Sequence, residues 1–464
     1  MLTETDYLVI GSGASAMAFV DTLLTETEAT VAMVDRRHVP GGHWNDAYPF
    51  VRLHQPSSFY GVASQPLGRD RKDVIGLNQG FYELASGVEV TSYFHQVMDD
   101  VFLPSGRVRY LPSHDYHPDR GVHSLLSGEA IELTWSTVVD ATLLSTSIPM
   151  LHTRRFDVAD GVACEPPNHL PRLASQHRSI AVLGAGKTAI DCVTWLLGNG
   201  YPAEQITWVA PRDSWLINRA HLQPGMENYE ATIGGLAEQV EICAQSSSVD
   251  ELCRRHEKAG LWLRVDPDVE PSMFHSATIS ERELAEMRRV GRVLRHGRVA
   301  AIEPDLLVFA NGEEVAVEPG TLHVDCTASA AAENVGHREP VFAPGEINLQ
   351  MVRPFQPCFS AALLAKIEAS VAPGERAQYA LPTPMTDTVH DWLTVQADGL
   401  RNGAAWSFAP ELAEWLGECR LNGFGQMVRG IEEDDAKRAL FMRLVGSTGA
   451  AIDNLDKLAS ASTS

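Results

Sequence analysis

Residues 7–10, Tyr-Leu-Val-Ile, form a short unbroken apolar run of the kind carried by a parallel strand buried on both faces. Met17, Phe19, Val20, Leu23 and Leu24 follow at helical spacing, and a second strand-like run at 30–34 completes a βαβ unit. The same grammar returns further on. An apolar run at 179–183 leads through a glycine turn to a helix over 188–197 and a strand over 205–209. Two such units predict an α/β chain with two Rossmann-like, doubly wound domains.

Between the units, Pro149, Pro166, Pro167 and Pro171 mark residues 149–176 as the crossover between domains. Residues 215–300 are more helical and polar, and Ser280 with Glu283 three positions on predicts a capped helix start. Further strands are expected at 306–309 and 321–325, the latter ending Val324-Asp325-Cys326-Thr327-Ala328. A like phrase, Val138-Val139-Asp140-Ala141-Thr142, closes the first part, and both phrases are expected to return the chain to the first domain's sheet. From 372 the chain turns helical. Leu412, Trp415, Leu416 and Cys419 lie on one helix face, a packing stripe, and the last six residues read as a frayed tail. The expected division is residues 1–148 and 321–371 for the first domain, 176–320 for a second domain inserted in it, and 372–464 for a helical C-terminal region.

Each βαβ unit carries a glycine fingerprint. Gly11-Ser12-Gly13-Ala14-Ser15-Ala16 fits G-x-G-x-x-G/A. Gly11 permits the tight turn, Gly13 lets backbone approach a pyrophosphate, and Ala16 lets helix and strand pack closely. Helix N-termini present unpaired N–H groups and a positive dipole end to phosphate. Asp35 ends the second strand 19 residues after Ala16, the place of an acid on the ribose hydroxyls. The second fingerprint is Gly184-Ala185-Gly186-Lys187-Thr188-Ala189, and no acid stands at its ribose position. Arg212 after that strand suits a 2′-phosphate, with Lys187 as a second cation, which favours NADPH over NADH. The competing reading makes Arg212 a solvated loop residue paired with Asp213.

The net charge, 37 − 60 = −23, argues against nucleic acid and anionic lipid as partners. Seven widely spaced cysteines without a C-x-x-C pair fit reduced thiols in the cytoplasm and support no metal site, disulfide framework or redox-active disulfide. A strand at residue 7 leaves no room for a signal peptide, and no apolar stretch is long enough to span a bilayer. A cytoplasmic protein is expected.

With both fingerprints placed, the chain resembles the class B flavoprotein monooxygenases, well over residues 5–65 and 176–220 and weakly elsewhere. That family carries GG-x-W, then Tyr-Pro and an arginine; here Gly41-Gly42-His43-Trp44 leads to Tyr48-Pro49-Phe50-Val51-Arg52. Gln55 aligns with an asparagine that flavin-containing members place beside the reacting flavin edge, and Asp191 matches the second fingerprint's extension. The resemblance implies FAD at the first fingerprint and NADPH at the second, with molecular oxygen and a small molecule as substrates. Reduced flavin would capture oxygen as a C4a-(hydro)peroxide.

On the same ground Gly42, Trp44, Tyr48 and Gln55 are candidates for the flavin site, the last three for catalysis; Trp44 and Tyr48 read equally well as core. The late helix 359–367 is expected to aim its N-terminus at the flavin pyrimidine, with Ser360 as its cap. One family element, F-x-G-x-x-x-H before the second fingerprint, is missing; Phe156 and His169 lie there at other spacings. Its absence keeps open a flavin-dependent NAD(P)H reductase, a flavin-dependent halogenase and a non-catalytic sensor of nicotinamide redox state. The oligomeric state and the substrate's identity are not legible in the sequence.

Overall fold

The computed structural model describes residues 2–144, 146–328 and 335–461. Its first sheet has six strands, in the order Phe342–Ala343, Glu346–Asn348, Thr134–Asp140, Glu4–Ile10, Val31–Asp35 and Val108–Pro112. All neighbours but the outermost pair run parallel. Leu8, Val9, Val31, Ala32 and Met33 are fully buried, as an unbroken apolar run requires when both sheet faces are covered. The helices Ala14–Glu26 and Pro357–Ser370 pack together over one face.

The second sheet has five strands: Arg292–Leu294, Ile206–Val209, Ile180–Leu183, Leu322–Asp325 and Cys164–Glu165, all parallel. The strand expected at 321–325 therefore belongs to this sheet and not to the first. The chain regains the first sheet only with Phe342–Ala343 and Glu346–Asn348, the latter pairing with Thr134–Asp140. The likeness of the Val-Asp-Ala-Thr and Val-Asp-Cys-Thr phrases reflects duplicated architecture. Thr134–Asp140 lies beside Glu4–Ile10 as Leu322–Asp325 lies beside Ile180–Leu183. Asp140 Oδ1 accepts from the amide and hydroxyl of Thr142, and Asp325 Oδ1 accepts from those of Thr327. The proline-rich crossover also contributes strands, Asp157–Val158 and Cys164–Glu165.

The helix Glu281–Met287 starts at the expected capping box of Ser280 and Glu283. The C-terminal region is helical as expected, with Val389–Ser407, Pro410–Glu418 and Asp435–Ala461. Leu412 and Cys419 are buried in the first core, with Trp415 and Leu416 packed against it. The helix Asp435–Ala461 lies on Gly235–Gln245 and Val389–Ser407, sharing a core of Trp215, Trp262, Phe274 and Trp392. Ala459, Ser460 and Ala461 complete that helix, and the rest of the expected tail lies outside the described residues. All seven cysteines are free and buried. No helix among the described residues is long and apolar enough to cross a membrane.

Candidate functional site

Both glycine turns open onto one cavity of about 2060 Å³ between the two sheets. That is roughly twice the upper range of pockets that enclose a single drug-sized molecule. Gly11, Gly13, Asp35, Gly42 and Trp44 line its first half, Gly184, Gly186, Lys187, Thr188 and Arg212 its second, with Tyr48 and Gln55 between. Ala16 and Ala189 are fully buried, where their small side chains let each helix lie close on its strand.

The first turn shows why it needs glycine. Gly11 has φ +103° and donates to Val34 O at 2.7 Å. A Cβ on Gly42, at φ +57°, would stand 2.9 Å from Gly13 Cα, so two backbone segments cross without side chains between them. The helices Ala14–Glu26 and Lys187–Gly198 start at Gly13 and Gly186, with no side-chain cap and no acid in the first turn. Their leading N–H groups are thus left for an anion. Asp35 Oδ2 accepts from the amide and hydroxyl of Ser12, which fixes the carboxylate at the cavity wall.

Two polar groups expected to face a ligand are engaged with protein partners, and one of them, Tyr48, ties the two domains together. Tyr48 donates its hydroxyl to Asp191 Oδ2 at 2.6 Å, and Lys187 pairs with the same carboxylate. Lys187 also lies 4.0 Å from Glu283, which binds the fully buried Arg219 at 2.5 Å. Arg219 Nε in turn donates to His54 O at 2.9 Å. Lys187 therefore already has an acidic partner in Asp191, with Glu283 at the edge of reach. Burial, and then Asp191, pushes the Tyr48 hydroxyl well above its ordinary pKa, so it stays protonated as the donor. Trp44 donates Nε1 to the Tyr60 hydroxyl at 2.7 Å while still lining the cavity.

Gln55 lines the cavity and its side-chain amide has no hydrogen-bond partner among the described residues. Beside it His54 also faces the cavity; burial, then the charges of Lys187 and Arg219, hold its pKa well below the usual value, leaving a neutral imidazole. The sequence carries no role for His54 although it adjoins Gln55, because its neutrality comes first from burial in the fold and then from two cations distant along the chain.

Ser360 is not the cap of the late helix. That helix, Pro357–Ser370, begins at Gln356, and Ser360 lies one turn inside it, fully buried and outside the cavity. Its hydroxyl accepts from the amides of Val352 and Arg353 at 3.1 and 3.2 Å, which fixes the strand-to-helix turn. Proline at the first helical position makes a side-chain cap less needed there. The helix start does meet the cavity, through Pro354, Gln356 and Pro357.

Arg212 lines the cavity but has a partner. Its two terminal nitrogens donate to Asp387 at 2.8 and 2.6 Å, and His275 Nε2 lies 2.8 Å from the same carboxylate. Arg212 foremost, and also His275, pulls the Asp387 pKa down to about 2 against a burial effect of opposite sign. Asp213, the partner weighed from sequence, binds Arg295. In the linker, Phe156 reaches the cavity, whereas His169 turns to Glu165 at 2.7 Å.

No protein-family model matches the chain. It is 41% identical to an uncharacterized protein of Mycobacterium tuberculosis strain H37Rv, over 99% of this chain and 85% of the other. An uncharacterized protein of Mycobacterium bovis matches at the same identity and coverage. Among solved structures, an oxidized steroid monooxygenase bound to NADP superposes with a TM-score of 0.50, covering 99% of this chain and 98% of the other at 13% identity. That likeness is one of fold.

Proposed function

The chain belongs to one family with these uncharacterized mycobacterial proteins, and we propose that it is an FAD- and NADPH-dependent oxidoreductase, a monooxygenase of a small molecule. The observation that carries this reading is the single cavity onto which both glycine turns open. Two dinucleotides bound at those turns would point their reactive rings into one space, the arrangement hydride transfer requires. The steroid monooxygenase fold supports the pairing.

The residues present fit both groups. The first site would hold FAD through the uncapped start of Ala14–Glu26, with Asp35 on the ribose and the Gly13–Gly42 crossing beside the pyrophosphate. The second would hold NADPH at the start of Lys187–Gly198, where a Cβ on Gly186 would meet nothing within 4 Å. A bound flavin supplies hydride acceptance and oxygen activation. The chain supplies position and a shared cavity. Trp44 gives the flavin site an apolar wall whose polar edge is already satisfied by Tyr60. Gln55 offers an amide without a partner among the described residues, and His54 a neutral ring able to donate or accept a hydrogen bond.

The test is the fate of electrons from NADPH. Oxygen consumed without matching hydrogen peroxide, with a candidate substrate present, supports monooxygenation. Stoichiometric peroxide under every condition supports the second reading, a plain NAD(P)H reductase. The position of His169, turned to Glu165, favours that alternative. A protein that binds both dinucleotides without consuming NADPH would be a sensor.

A further inference from the structure

The second βαβ unit lacks a ribose acid on its own strand. The register Ile10 to Val34 in one sheet and Leu183 to Val209 in the other makes Ala210 the counterpart of Asp35. A carboxylate nevertheless stands close by, brought from far along the chain. Asp387 precedes the helix Val389–Ser407 and occupies the fork of Arg212 with both oxygens, in the geometry a phosphate would use. Its place is built. Phe274 donates its amide to Asp387 O at 2.8 Å, the Asp387 amide donates to Asp391 at 3.0 Å, and the buried Thr386 hydroxyl donates to Phe274 O at 2.6 Å. Arg212, Asp387 and His275 all line the cavity.

We infer that Asp387 determines dinucleotide preference in the second site, as a carboxylate that a 2′-phosphate must displace from Arg212. The inference rests on the proposal that this site binds a nicotinamide dinucleotide through Arg212. Affinity for the phosphorylated form is then the difference between two bidentate contacts on one guanidinium. An unphosphorylated ribose leaves the ion pair undisturbed and pays no such penalty. The C-terminal helical region thereby takes part in cofactor selection.

Calorimetric titration of the flavin-loaded protein with adenosine 2′,5′-bisphosphate, and with 5′-AMP as control, separates the possibilities. Removing a like charge about 5 Å from the phosphate in a partly solvated site predicts that Asp387→Asn tightens bisphosphate binding about fivefold to tenfold. Binding of 5′-AMP should stay within about twofold, because it meets no change at Arg212. Asp387→Ala, as a second variant, should move the same way, and thermal melts confirm that each variant is folded. Arg212→Ala should abolish the preference for the bisphosphate. Weaker or unchanged bisphosphate binding in both Asp387 variants, with preference lost in Arg212→Ala, overturns the role of Asp387 and leaves Arg212 as the reader. Preference retained in Arg212→Ala overturns the 2′-phosphate assignment and the inference with it.

Discussion

Replacing Gly186 by alanine adds one methyl group at the N-cap of Lys187–Gly198, where φ is −80° and no heavy atom lies within 4 Å. Alanine is a poorer N-cap than glycine by up to about 1 kcal/mol. The loss is offset by about 0.4–1 kcal/mol from a less flexible unfolded chain. The fold should hardly register the change. The same substitution at Gly184 meets φ +124° and a methyl 2.7 Å from the Cys326 carbonyl oxygen. A forced backbone of that kind costs about 1–3 kcal/mol. At about 2–4 °C per kcal/mol, Gly184→Ala should melt roughly 2–12 °C below wild type, while Gly186→Ala stays within about 2 °C. Binding should order the two differently. The Gly186 methyl projects into the cavity where backbone must approach a pyrophosphate, so NADP⁺ affinity should fall at least about tenfold, some 1.4 kcal/mol. Gly13→Ala and Gly42→Ala form the matching pair in the first site. Gly13 has an ordinary 3.5 Å contact to Gly42 Cα and φ −77°, so its methyl should lower FAD occupancy without unfolding the chain. The 2.9 Å approach at Gly42 should destabilise it. Thermal melts with calorimetric titration decide the matter. Wild-type NADP⁺ affinity in a fully folded Gly186→Ala protein would falsify the second dinucleotide site.

Three further outcomes follow from the same structure. Tyr48→Phe removes a buried hydroxyl donating to a carboxylate at 2.6 Å and should cost about 1.5–3 kcal/mol, read as a lower melting midpoint; an unchanged midpoint would mean the Tyr48–Asp191 contact does not join the domains. Gln55→Leu keeps bulk but loses the amide facing the cavity, so hydrogen peroxide released per NADPH should rise while the rate of flavin reduction holds; slower reduction with unchanged peroxide would place Gln55 at the nicotinamide instead. His256 is fully buried against Trp262 and burial lowers its pKa to about 4, so the unfolded chain, titrating near 6.5, binds the extra proton between those values. Its contribution to stability is present above about pH 6.5 and lost as pH falls toward 4, by at most about 1.4 kcal/mol per pH unit, and His256→Phe should flatten the melting midpoint across that window.

What could be read from the sequence was local. The turns at Gly11–Gly13 and Gly184–Gly186, the strand-terminal Asp35, the capping box at Ser280 and the stripe through Leu412 and Cys419 all rest on residues within a few turns of one another, and all lie where the pattern put them. What escaped depended on distant pairing. Tyr48 reads as facing ligand, but its partner Asp191 becomes its neighbour only when the two domains close on each other, and Lys187 meets Glu283 only through the folding of the second domain. Arg212 was set against the adjacent Asp213, while its actual partner lies 175 positions away. Asp325 and Asp140 end like strands, and which sheet each joins follows from strand order, which an apolar run does not encode. Ser360 has the right residue type for a cap but lies one turn too late, because Pro357 had already begun the helix.

Two dinucleotides that meet in one cavity should pass a hydride between them. Anaerobic mixing of the purified, FAD-loaded protein with NADPH in a stopped-flow spectrophotometer tests it most directly. Complete bleaching of the flavin absorbance is expected, at a rate that saturates with NADPH, and Gly186→Ala should need at least about tenfold more NADPH to reach half of that rate. A protein that retains no flavin, or a bound flavin that neither NADPH nor NADH reduces, would contradict it.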